Sequence, residues 1–132
     1  FIGNGGSAAI ASHMAIDWMN KGGLKTRDLN NPAALTCLAN DYGYQNVFVR
    51  QLGSIGAEDI LVAISSSGSS PNIVRAAREA RKKGARIIVF TGFAEDNPLR
   101  QHGLEFHIPS DNYAIIENAH MAILHAMLEV LR

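Results

Sequence analysis

The sequence predicts an α/β fold in which helices cover both faces of a mostly parallel sheet. Short aliphatic runs alternate with longer segments of helical periodicity, which is the pattern of βαβ units. The runs "DILVAIS" (59–65) and "RIIVFTG" (86–92) are continuously apolar, as strands are when both faces of their sheet are covered. We therefore expect one domain over residues 1–132, built as a doubly wound α/β/α sandwich.

The first half of the chain predicts four elements. Residues 1–3 read as the end of a strand, and 7–20 have the periodicity of a helix. The apolar run "AALTCLA" (33–39) indicates a buried strand, and 44–55 indicates a helix. Because the chain begins inside a strand, we expect a helical segment to precede Phe1.

The second half predicts three further elements. Residues 71–83 form a helix between the two aliphatic strands, and 105–109, "EFHIP", form a short edge strand. Residues 112–131 predict a long closing helix.

Composition excludes several classes of protein. The chain is 47% hydrophobic and 18% charged with a formal net charge of zero, which indicates a packed core. The balanced charge argues against nucleic-acid and membrane-surface roles. The lone Cys37 excludes an internal disulfide, and its apolar surroundings predict a buried thiol. With no signal peptide and no apolar run of about 18–20 residues, we expect a cytoplasmic protein.

Two loops of unusual composition follow predicted strands. In the first, "FIGNGGSAA", Gly3, Gly5 and Ala8 fit a dinucleotide-binding fingerprint. That interpretation also needs an acidic residue that ends a second strand about 20 positions later. Asp28 lies in a polar loop with no apolar strand before it, so the dinucleotide interpretation is disfavoured.

The second loop, "SSSGSS" (65–70), combines five serines with Gly68 and precedes a helix that starts near Pro71. Hydroxyl donors at a helix N-terminus suit a phosphate group, because the free N–H groups and the positive end of the helix dipole face it. The alternative is a plain loop in which Ser70 is the N-cap, which accounts for one serine and not five.

Two pairs of residues have the chemistry of metal ligands. His13 and Asp17 are four residues apart on one helix face and can chelate a divalent ion, or simply bond each other. Glu117 and His125 are separated by about 12 Å of ideal helix, too far for one ion. They share an ion only if the first turn is irregular or if different subunits supply them. His120 reads as a packing or interface histidine.

Four motifs together resemble the SIS (sugar isomerase) domain family, most closely its sedoheptulose 7-phosphate isomerases. They are "GNGGS" (3–7), "NDYGY" (40–44), "SSSGSS" (65–70) and "AIIENAHMAILH" (114–125). They occur in the family's order and span nearly the whole chain.

The resemblance implies a set of site residues. The phosphate cradle would be Ser65, Ser66, Ser67 and Ser70. The sugar would be held by Asn4, Gly5, Gly6, Ser7, Asn40, Asp41 and Glu117. The metal, typically zinc, would be bound by His13, Asp17, Glu117 and His125. Three positions depart from the family pattern, since Asp17 replaces Glu, Glu117 replaces Gln and Ala114 replaces Asp.

The implied reaction is aldose–ketose isomerisation, converting D-sedoheptulose 7-phosphate to D-glycero-D-manno-heptose 7-phosphate through a metal-stabilised enediol. Asp17 would be the base and His125 its acid/base partner. The family also implies a cytoplasmic homotetramer that shares active sites between subunits and supplies heptose for lipopolysaccharide or capsule precursors. Because of these three departures, a different phosphosugar remains an alternative substrate. The rival interpretation is a non-catalytic SIS module of the replication-initiator-binding type, which lacks the terminal histidine retained here as His125.

Overall fold

A three-stranded parallel sheet forms the centre of the protein, whose computed structural model describes residues 1–131. The strands are β1 (Ile60–Ile64), β2 (Arg86–Thr91) and β3 (Leu104–His107), in that order, with β3 at one edge. On the other side of β1, Ile2 forms one parallel bridge to Ala63. The three predicted strands and the strand-like start of the chain are confirmed.

Four helices flank the sheet: α1 (Gly6–Asn20), α2 (Pro32–Tyr42), α3 (Pro71–Lys82) and α4 (Tyr113–Leu131). The predicted helices at 7–20, 71–83 and 112–131 are therefore confirmed within one or two residues at each end. All three pack on the sheet through buried apolar side chains.

Alternate residues of each strand face opposite cores. In β1, Leu61 and Ala63 join the core under α3, while Val62 and Ile64 join the core under α1 and α4. Phe90 of β2 belongs to the second core and stacks on Phe106 of β3 with ring centroids 5.1 Å apart. Burial on both faces explains the uninterrupted aliphatic runs and confirms the predicted sandwich.

The predicted strand at 33–39 is wrong, because that segment lies within α2. Asn31 caps the helix by accepting a hydrogen bond from the Ala34 backbone N–H at 3.2 Å, and Pro32 occupies its first turn. Thr36 is the only β-branched residue of the run, and Ala and Leu favour helix. An Asn-Pro start signal thus outweighs a short apolar run.

The predicted helix at 44–55 is also wrong. The structure has two 3₁₀ turns there, Tyr44–Asn46 and Val49–Gln51, with Val47 and Phe48 completely buried between them. Gly43, whose φ is 81°, is the C-cap residue at which α2 ends. The β-branched and aromatic residues that follow disfavour a continuous helix and anchor the segment in the core instead.

The expected burial of Cys37 is wrong for the same reason. None of the residues of α2 is buried, and the Cys37 thiol is exposed, with Sγ 3.7 Å from an Asp41 carboxylate oxygen.

Helix α4 also departs from expectation, because its 19 residues are long and apolar enough, by length and composition alone, to cross a membrane. The same helix packs Ile116, His120, Leu124 and Leu128 inside the sandwich. One face of α4 therefore packs in the core, while most of its residues are not buried.

Candidate active site

The serine loop, defined as residues 65–70, connects the end of β1 to the start of α3. The backbone N–H of Ser65 donates to the carbonyl of Phe90 at 3.0 Å, and that of Gly68 donates to the carbonyl of Ser65 at 2.9 Å. Gly68 has a φ of 63°, which a glycine adopts without strain. Ser70 stands at the N-cap position of α3, but its side chain makes no capping bond. A simple capped loop therefore does not explain these serines.

The hydroxyl of Ser66 is a candidate ligand-binding group in the serine loop. Ser66 is 5% exposed, and its Oγ has no hydrogen-bond partner among residues 1–131. Leaving a buried hydroxyl unpaired costs about 1–3 kcal/mol, so such a group calls for an explanation. Ser65 and Ser70 share only a long hydroxyl contact of 3.4 Å. An anion at the N-terminus of α3 would satisfy these donors.

The first loop, residues 3–6, lies beside the serine loop. The side chains of Asn4 and Asn72 bond each other twice, at 2.9 Å each way, and Asn72 is in the first turn of α3. Tyr44 also donates its hydroxyl to Asn4 Oδ1 at 2.9 Å. Ser7 follows in the first turn of α1 and is 4% exposed. The structure thus brings predicted sugar and phosphate residues to one edge of the sheet.

Glu117 also lies at this edge. Its carboxylate sits directly against Gly6, the first residue of α1, where any side chain would overlap it. A carboxylate in that position is stabilised by the positive end of the helix dipole. Glycine at position 6 is required for this close approach.

His13, Asp17 and His125 form a separate group, the His–Asp group. Asp17 Oδ2 is 3.6 Å from His13 Nε2 and 3.9 Å from His125 Nδ1, and one donor atom of each residue lies within 4.8 Å of the other two. Two ligands of one zinc ion are about 3–4 Å apart, given bonds near 2 Å. Both separations from Asp17 lie in this range, which makes the group a candidate site for a divalent cation.

Lys21 completes the surroundings of Asp17. Its ammonium donates to Asp17 Oδ2 at 2.8 Å, one helical turn further on. This hydrogen bond is the main cause that lowers the pKa of Asp17 below its usual range. The carboxylate is therefore ionised at neutral pH, and Lys21 would compete with a metal ion for that oxygen.

The two parts of the predicted site are far apart within one chain. Glu117 touches Gly6, whereas His125 contacts Asp17, so α1 and α4 run side by side in the same direction. Asp17 lies eleven residues after Gly6, about 16 Å of helix. Glu117 is not part of the His–Asp group in this chain, and α4 is regular from Tyr113 onwards.

The other predicted positions are on the surface. Asn40 and Asp41 are exposed in the last turn of α2, where Asn40 donates to Asp41 Oδ1 at 3.0 Å. Ala114 is exposed in the first turn of α4.

Sequence reasoning missed Lys21 and Asn72. The i, i+4 spacing of Asp17 and Lys21 was a readable signal for an ion pair. Nothing in the sequence showed that Asn72 would face Asn4, because that contact spans 68 residues.

Comparison with known proteins agrees with this geometry. The SIS domain family model matches residues 1–92. The phosphoheptose isomerase of Thermodesulfovibrio yellowstonii is 36% identical over 98% of this chain and 68% of its own length. That of Solidesulfovibrio magneticus is 39% identical over 99% of this chain and 67% of its own length.

Solved structures give the same result. The phosphoheptose isomerase of Neisseria gonorrhoeae superposes with a TM-score of 0.89 at 33% identity, over 99% of this chain and 74% of that one. The phosphoheptose isomerase of Francisella tularensis superposes with a TM-score of 0.87 at 33% identity, over 97% of this chain and 71% of that one. The family match and these identities show that the chain belongs to the SIS domain family and, within it, to the phosphoheptose isomerases.

Proposed function

We propose that the protein is an aldose–ketose isomerase that acts on a phosphosugar, with D-sedoheptulose 7-phosphate as substrate and D-glycero-D-manno-heptose 7-phosphate as product. The observation that carries the proposal is the unpaired, buried hydroxyl of Ser66 in the serine loop, which connects β1 to α3. The family membership and the names of its relatives support the choice of sugar.

The serine loop would hold the phosphate. Ser65, Ser66, Ser67 and Ser70 offer hydroxyl donors, and the positive end of the α3 dipole lies next to them. Asn4, Gly5, Gly6 and Ser7, with Asn40, Asp41 and Glu117, would contact the sugar. Binding energy at the phosphate end would hold the reacting carbons in place, which raises the rate of the chemical step.

The His–Asp group would carry the chemistry. Asp17 is ionised at neutral pH, as aspartates ordinarily are, and its carboxylate would accept the proton from the carbon next to the carbonyl. His125, within 3.9 Å of that carboxylate, would return a proton one carbon along.

A zinc ion fits the same group. His13, Asp17 and His125 would hold it, with Glu117 as a fourth ligand from another subunit. When bound, it would act as a Lewis acid on the oxygens of the enediol.

A complete site needs two copies of the chain. The His–Asp group lies about three helical turns from Gly6 and the phosphate-binding edge. A second subunit that places its His–Asp group opposite the serine loop of the first would bring both to one sugar. We propose a homotetramer of this kind, in the cytoplasm, that supplies heptose for lipopolysaccharide or capsule precursors.

The test follows D-sedoheptulose 7-phosphate by NMR after incubation with the protein and zinc. We expect an aldoheptose 7-phosphate to accumulate, turnover to stop after chelation, and zinc to restore it. A folded protein that binds zinc but leaves the ketose unchanged would contradict this choice of sugar. A folded protein that binds neither zinc nor phosphosugar would favour a non-catalytic SIS module.

A further inference from the structure

We propose that Asn72 and Tyr44 are positioning residues that fix the side-chain amide of Asn4, and so leave one N–H of that amide for an oxygen of the substrate. This inference rests on the proposed function and assigns roles to two residues outside the predicted site. It also explains why a buried asparagine stands in the first turn of α3.

The orientation of Asn72 is set by the backbone. Its Oδ1 accepts from the backbone N–H of Ile73 at 3.0 Å, which it shares with the Ser70 carbonyl at 3.1 Å, and an N–H group can only donate. The other side-chain atom of Asn72 is therefore its NH₂ group. Asn72 is 2% exposed. If its amide were reversed, its NH₂ group would face the N–H of Ile73, and no water would separate the two donors.

The orientation of Asn72 dictates that of Asn4. The NH₂ group of Asn72 donates to Asn4 Oδ1, and Asn72 Oδ1 accepts from Asn4 Nδ2, both at 2.9 Å. Tyr44 adds a third bond by donating its hydroxyl to Asn4 Oδ1. The backbone of α3 thus determines which end of the Asn4 amide faces which way.

A count of donors and acceptors shows which hydrogen-bonding groups of Asn4 are left for a ligand. A side-chain amide has two N–H donors and an oxygen with two lone pairs. Asn72 and Tyr44 use both lone pairs of Asn4 Oδ1, and Asn72 uses one N–H. One N–H of Asn4 is left, at the sheet edge that holds the serine loop. Asn4 is therefore a donor to the substrate and not an acceptor.

The same bonds tie three motifs together. Asn4 belongs to the first loop, Asn72 to the helix after the serine loop, and Tyr44 to the segment that follows α2.

The test is a double-mutant cycle on kcat/KM with D-sedoheptulose 7-phosphate. Asn72→Asp keeps the shape and the bond to Ile73, but it turns an acceptor toward Asn4 Oδ1. We expect kcat/KM to fall roughly tenfold or more in Asn72→Asp and about three- to fivefold in Tyr44→Phe. In an Asn4→Ala background, both changes should have almost no further effect, because they act only through Asn4.

Two controls keep the result interpretable. Tyr42→Phe removes a hydroxyl from the same segment and should leave kcat/KM unchanged. The side-chain amide NMR signal of Asn4, identified by its loss in Asn4→Ala, should shift in Tyr44→Phe and not in Tyr42→Phe. If Asn72→Asp fails to fold, the double-mutant cycle of Tyr44→Phe with Asn4→Ala tests the positioning role by itself.

The outcomes separate the two proposals. An active wild type with additive effects in the cycle would overturn the positioning role and leave the isomerase intact. An inactive wild type would refute the isomerase and the positioning role together, while the NMR shift would still report the contact.

Discussion

The serine loop and the His–Asp group are built in opposite ways. The loop is one continuous segment whose backbone is bonded to β2 and to itself, and it buries the hydroxyl of Ser66. The His–Asp group joins side chains from α1 and α4, and its His13 is more than half exposed. The proposed phosphate site is therefore pre-organised within one chain, whereas the proposed catalytic group is open on one side.

This difference has a physical reason. A phosphate can be held by donors that one strand–loop–helix unit supplies, because the strand end and the helix start meet there. Proton transfer between adjacent carbons needs a base and an acid on a surface that the rest of the sugar can reach. An open His–Asp group on an outer helix surface suits a site completed by a second subunit.

The largest expected effect comes from the His–Asp group. Asp17→Asn and His125→Ala should each lower kcat by about 10²–10⁴-fold, since each removes a proton-transfer group. KM should change little, because the serine loop is intact. Steady-state kinetics measure both, and His102→Gln serves as the histidine control, because His102 lies near Arg78 and Arg81 of α3 and not near α1 and α4.

A rise in KM with an unchanged kcat in these two variants would contradict the division of roles. It would place substrate binding, and not chemistry, at the His–Asp group.

The second prediction concerns Gly68 in the serine loop. Gly68→Ala forces a side chain into left-handed backbone at φ 63° and against the side chain of Asn97. Strain of about 1–3 kcal/mol corresponds to a rise in KM of roughly five- to 150-fold, with kcat nearly retained. Calorimetric titration with inorganic phosphate should show the same loss of affinity.

Gly23→Ala is the matched control, because Gly23 has a φ of 65° and no neighbour within 4 Å of the added carbon. It should lower the free energy of unfolding without changing KM. Equal changes in KM for the two variants would show that the serine loop is not the phosphate site.

The sequence allowed most of the sheet and of the loops to be predicted, since their signals are local. The aliphatic runs and the start of α3 at Pro71 each depend on a few adjacent residues. The segment 33–55 was mispredicted because an Asn-Pro helix start competes there with a short apolar run, and the Gly43 turn depends on tertiary packing. The Asn4–Asn72 pair and the separation of Glu117 from Asp17 depend on how elements pack, which no local pattern encodes.

The smallest expected effect concerns pH and the helix that carries both Glu117 and His125. His120 of α4 is completely buried, donates from Nε2 to the Thr91 carbonyl at 3.0 Å, and packs edge-on against Phe90. Burial is the main cause that lowers its pKa below 6.5, and the nearby His107 acts in the same direction. The folded protein therefore keeps this ring neutral under conditions in which the unfolded chain binds a proton.

The sign of the effect follows from linkage. Below pH 6.5 the unfolded state binds more protons, so the free energy of unfolding should fall as pH decreases, by at most about 1.4 kcal/mol per pH unit for this one group. His102, whose pKa is also lowered, adds a slope of the same sign. Urea unfolding of the wild type and of His120→Gln between pH 7.5 and 5 measures the free energy of unfolding. We expect it to depend less steeply on pH in the variant. Thr91 adjoins Gly92, whose N–H donates to the Ser66 carbonyl at 2.7 Å. A proton on His120 would therefore disturb the serine loop more than the His–Asp group. An unchanged slope in His120→Gln would show that His120 does not cause this pH dependence.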